Sequence, residues 1–155
     1  MRKYSVLMVL GIISMLLLGL QLSAAPTSAP TIEAEVNIRP EVFNLSQKGV
    51  ITASIGNLTE DEVSYAIRDI NASTLMLCHE GAFVADPLRV TVAGSILMVK
   101  FDATAVADYI WSILYHMGTT TVPPQDNYTM SFTVSGQLFN GAAFAGSDTI
   151  KIIVP

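Results

Sequence analysis

The chain changes its hydrophobic rhythm several times, and each change marks an element. From Thr31 the alternation is strict: Ile32, Ala34, Val36 and Ile38 fall on one face and Glu33, Glu35, Asn37 and Arg39 on the other. A period of two predicts a half-buried strand, ended by Pro40. Gly49–Ile55 and Ser73–Leu77 read as further strands. Leu88–Val92 and Ile96–Phe101 flank Ala93-Gly94-Ser95 and predict a hairpin. Tyr128–Leu138 alternates again, with Tyr128, Met130, Phe132 and Val134 inward. Asn140-Gly141 then predicts a turn into a last strand, Asp148–Val154. Seven or eight short strands with turn signals between them predict a mainly β fold, an antiparallel sandwich of the immunoglobulin-like type.

One stretch departs from this rhythm. In "LMVKFDATAVADYIWSILY", Leu97–Tyr115, strand alternation gives way to helical spacing. Val106, Ile110, Ile113, Leu114 and Met117 share a face, which predicts one short helix over 103–117, stopped by Gly118. Asp102 sits at the seam. Aspartate is a favoured N-cap because its carboxylate accepts free amide hydrogens of the first turn. A catalytic or ligand role would need a partner close by in sequence, and Asp102 has none.

The front of the chain has a different character. Met1-Arg2-Lys3 precede an apolar run from Val6 to Leu22, and Ser23, Ala24 and Ala25 follow. A basic head, an apolar middle and a small-residue exit are the parts of an export signal. Residues 1–25 are therefore expected to be a signal peptide or, if uncleaved, a membrane anchor through residues 6–22, at the short edge of a span. Residues 26–30 read as a Pro-containing linker and residues 31–155 as the domain. The expected location is extracellular or at the cell surface.

Charge narrows the partners. Without Arg2 and Lys3 the chain carries six basic and thirteen acidic residues, a formal charge of −7. Such a surface repels phosphate backbones, so nucleic acid is not an expected partner. Cys78 is the only cysteine, so no intramolecular disulfide can form.

Three segments, "VNIRPEVFNLSQKGVITASI", "LMVKFDATAV" and "TVSGQLFNGAAFAGSDTIKII", occur in this order and cover most of residues 34–153. Together they resemble an immunoglobulin-like β-sandwich module of secreted and cell-surface proteins of archaea and some bacteria. The resemblance implies an accessory domain of exported proteins and brings no catalytic residues. Relatives often carry an Asp/Gly-rich run, resembling a calcium loop, just before "LMVKF". Here Pro87–Val99 contains no acidic residue, so those ligands are missing.

The remaining candidates are polar clusters. Cys78-His79-Glu80 places three potential ligands in a row, but neighbours on a strand point to opposite faces and cannot share one ion. Thr59–Glu62, "TEDE", reads as a solvated loop or a capped first helical turn. Four of six asparagines begin N-x-[ST]: Asn44, Asn57, Asn71 and Asn127. In an exported chain these are candidate glycan acceptors, though Asn44 lies in "FNLSQKG", part of the resembled module's motif, and also reads as a structural asparagine. Tyr109, Trp111 and Tyr115 could contact a partner if the helix exposes them. No nucleophile, phosphate loop or carboxylate pair stands in a catalytic frame, and neither an enzyme nor a cofactor is expected. The expectation is a non-catalytic exported module acting on a protein or a surface polysaccharide. The alternative is a calcium- or carbohydrate-binding module serving a secreted hydrolase.

Overall fold

The computed structural model describes residues 31–116 and 128–155. The expected signal or anchor, the linker, Met117, Gly118 and Asn127 lie outside the described residues. Among the described residues there are ten strands, one α-helix and a single 3-10 turn at Ile67–Asp69. The strands are β1 (Ile32–Arg39), β2 (Val42–Asn44), β3 (Val50–Glu60), β4 (Val63–Tyr65), β5 (Ile70–His79), β6 (Ala82–Ala85), β7 (Pro87–Ala93), β8 (Ile96–Asp102), β9 (Tyr128–Leu138) and β10 (Ala143–Ile153). Helix α1 (Ala103–His116) follows β8 directly.

The strands form a single sheet in the order β6-β5-β9-β10-β1-β3-β8-β7, with β2 added to β10 and β4 to β3. Asp86 alone joins β6 to β7, the two ends of that order. One residue spans only a few ångströms of chain. The sheet must therefore curl until its ends meet. The inward rows then face one another and make the core. Phe43, Phe101, Phe132 and Phe144 are fully buried in it, and no described polar or charged side chain is. Helix α1 packs on β6 and β8, from opposite halves of the order, and covers the open side of the curl. Among the described residues no helix is long and apolar enough to cross a membrane.

The expected strands are all present, but the pairing is not wholly antiparallel. β1 pairs with β10 in parallel, and so does β2. These strands lie far apart in sequence, where no hairpin dictates direction. Three short strands, β2, β4 and β6, have too few residues to show alternation. The "TEDE" segment is no helical turn. It is a two-residue hairpin between β3 and β4, with Asp61 and Glu62 both at positive φ.

The junction of β1 and β10 organises the fold. The two strands pair only at Ile32↔Phe144 and Glu33↔Ala145. Ladder pairing stops there, and Gly146 passes close against β1, where an added Cβ would lie 2.1 Å from the Ala34 carbonyl oxygen. Further on, Asp148 bridges the gap: its Oδ2 accepts the Ile38 amide at 2.7 Å. β10 then continues into its pairing with β2.

The buried face of α1 is also shifted from the expected one. Ala103, Val106, Ala107, Ile110 and Leu114 are buried, while Ile113 is only half-buried. Ala103 and Ala107 extend the buried stripe, and Ile113 packs against the core at its edge.

Candidate functional site

The residues singled out in the sequence scatter over the fold. Asp102 ends β8, and its Oδ1 accepts the Thr104 amide at 2.8 Å. This bond links the carboxylate to the second residue of α1, as an N-cap does. Asn44 and Asn71 adopt the same local arrangement. In each, Oδ1 accepts both the amide and the hydroxyl of the serine two residues on, Ser46 at 2.9 and 2.7 Å and Ser73 at 3.2 and 2.7 Å. Asn57 is the extra residue of a bulge between β1 and β3. It has φ 36° and donates from Nδ2 to Glu35 Oε2 at 2.7 Å. Asn44 and Asn71 thus serve the local backbone, while Asn57 ties β3 to a side chain of β1.

Cys78, His79 and Glu80 separate as strand geometry requires. Cys78 is a half-buried thiol on the outer face, near Ser135. His79 turns inward, and its ring packs 5.4 Å from Phe132 and edge-on 6.0 Å from Tyr109. Its Nδ1 lies 2.7 Å from the Ser131 carbonyl oxygen, which can only accept, so Nδ1 is the donor. Glu80 and Gly81 are the two residues of the β5–β6 turn, with φ 49° and 81°. Among the described residues no three potential metal ligands come together.

Of several hollows among the described residues, one gathers candidate side chains. It lies between α1 and the adjacent ends of β5 and β9, with a volume of about 420 Å3. Ile113, Leu114, Met130 and Ala82 supply its apolar surface, and Tyr109, Tyr128, His79, Thr129 and Glu80 its polar groups. Among the described residues, no lysine or arginine lines it. The Tyr109 hydroxyl reaches toward the His79 carbonyl at 3.5 Å. Burial raises the Tyr109 pKa, and nearby Glu80 adds to the rise. Tyr109 is therefore held as a neutral phenol, able to donate a hydrogen bond. A larger depression of about 700 Å3 lies over Gly146, between Glu33, Glu35 and Ser147. It is open and follows from the missing side chain where β1 crosses β10, so the α1 hollow is the better candidate.

The three helix aromatics divide their roles. Tyr109 lines the hollow. Trp111 is half-buried against the core, and Tyr115 is 69% exposed. Trp111 and Tyr115, one helical turn apart, place their ring centroids 5.9 Å apart with planes inclined by 34°.

No family model, curated protein or solved structure matches this chain.

Sequence reasoning missed the hollow itself. The sequence offers His79 as a metal ligand or a catalytic partner of Cys78, and Tyr128 as a core position. Their convergence on Tyr109 depends on β5, β9 and α1 meeting, which no local pattern encodes. The one local signal was the Glu80-Gly81 pair after a strand, a tight-turn signature that places Glu80 at the rim.

Proposed function

We propose that this chain is a non-catalytic, exported or cell-surface module of the immunoglobulin-like sandwich kind, acting by contact with a partner through the α1 side. One observation carries the reading. The only α-helix among the described residues presents aromatics on both flanks: Tyr115, exposed and packed at a tilt against Trp111, on one, and Tyr109, lining a largely apolar hollow, on the other. Aromatic side chains next to an apolar concavity are favoured contact groups, offering large area at low entropic cost. The curled sheet behind them supplies a rigid mount. The export features of residues 1–25 and the resemblance to surface modules support the location.

A direct test is sedimentation of the full chain with envelope material from its own cells, wild type against Tyr115→Ser. Tyr115 is exposed, so the substitution spares the core. Loss of co-sedimentation in the folded variant supports the reading, and equal binding by both proteins sinks it. The Trp111–Tyr115 pair also favours a second reading, a carbohydrate-binding module serving a secreted hydrolase. Two inclined rings one turn apart can stack on successive sugar faces. Retardation in gels containing soluble polysaccharide, relieved by Trp111→Ala, would favour it over a protein partner.

A further inference from the structure

We infer that the α1 hollow receives a basic side chain, lysine or arginine, presented by a partner protein. The inference rests on the contact reading above and names the chemistry of its central anchor. Three features of the lining converge on a cation with an apolar stem. Glu80 supplies a carboxylate, and its position in the exposed β5–β6 turn sets it at the rim. Tyr109 and Tyr128 bring two phenol rings, whose faces attract cations. Ile113, Leu114, Met130 and Ala82 offer an apolar bed on which an aliphatic stem can lie while its charged head reaches the rim.

Charge decides the sign of the ligand. With no lysine or arginine among the described lining residues, none of them brings a fixed positive charge to a phosphate, sulfate or carboxylate. The whole chain, at a formal net charge of −5, steers cations toward it and anions away. A neutral sugar would match the rings but leave Glu80 without its ion pair. A guanidinium or ammonium engages both at once. The hydrogen bond of His79 Nδ1 to Ser131 and its packing on Phe132 hold that wall of the hollow in place.

The test uses the full chain in detergent, with titrations followed by NMR or calorimetry. The probes are N-acetyl-arginine amide, N-acetyl-lysine amide, N-acetyl-norleucine amide, methyl glucoside and glucosamine. The basic amino-acid amides should bind in the millimolar range. The uncharged norleucine analogue should bind about three- to tenfold more weakly, and Glu80→Gln should reduce the basic probes to the norleucine level. Glu80 is an exposed turn residue, so the variant should fold, and an unchanged thermal midpoint checks it. Tyr109→Phe, which keeps the ring, should keep binding. Three results would overturn the inference: equal affinity for norleucine and lysine amides, preference for methyl glucoside, or indifference to Glu80→Gln. Glucosamine binding above both amino-acid cations would move the source from protein to amino sugar and also overturn it. Failure of the cation titrations while Tyr115→Ser still abolishes envelope binding sinks this inference alone. Loss of the Tyr115 effect sinks the contact reading instead.

Discussion

Replacing Asp148 with alanine removes one side-chain bridge and so isolates the energetics of the β1–β10 junction. After Glu33 the ladder pairing stops, and the Ile38 amide has no ladder partner on β10. Ile38 is 1% exposed, so water has little access to it. Asp148 Oδ2 takes that amide at 2.7 Å, while Oδ1 takes the Thr149 amide at 2.8 Å. A hydrogen bond to a charged acceptor contributes about 1.5–3 kcal/mol net, and an orphaned buried donor loses its hydration as well. Asp148→Ala should therefore cost about 2–3 kcal/mol. For a domain of this size that is a fall in Tm of roughly 6–12 °C. Urea unfolding gives ΔG, and circular dichroism gives Tm. Asp148→Asn keeps one neutral acceptor and should lose about half as much. An alanine variant melting within about 2 °C of wild type would refute the bridge as a stabilising element.

Gly146→Ala should be harsher, because its Cβ would meet the Ala34 carbonyl oxygen at 2.1 Å and force β1 away; little soluble folded protein is expected, and a normal yield and Tm would contradict the crossing. Asp102→Ala removes the acceptor of the Thr104 amide and should cost about 1 kcal/mol, read in urea unfolding, with the native circular dichroism spectrum retained. Tyr65 and Tyr109 both have pKa values raised above 10.0, Tyr65 first by its hydrogen bond to Glu60 and Tyr109 first by burial. Their contribution to stability is fully present below the unfolded value near 10 and is lost as pH rises through the folded values. Stability should thus fall above about pH 10, and Tyr109→Phe should flatten part of that fall; an unaltered slope would contradict the burial of the phenol.

Much of the fold was legible because β1, β3, β8, β9 and β10 each bury one face. Ile32, Ala34, Val36 and Ile38 alternate in sequence and are buried as a row. Met130, Phe132 and Val134 do the same on β9. The helix start was readable because Asp102 stands between two periodicities. Strand direction was not readable. The sequence around Gly146 and Asp148 shows a glycine and an aspartate, but their meaning lies in Ala34 and Ile38, more than a hundred residues away. That Asn57, a candidate glycan acceptor, is also a bulge residue was not readable, since only the β1–β3 register reveals the extra position. The hollow was the least legible feature. Its lining comes from four elements and the turn between β5 and β6, and His79, Tyr109 and Tyr128 share no local pattern.

Hydroxyl-radical footprinting of the full chain, with and without envelope material from its own cells, tests the contact reading most directly. The account predicts that Tyr109, Trp111 and Tyr115 become protected together, while exposed apolar residues elsewhere, such as Phe139 and Leu88, keep their reactivity. Protection centred on Phe139 or Leu88, with the α1 aromatics unchanged, would contradict it.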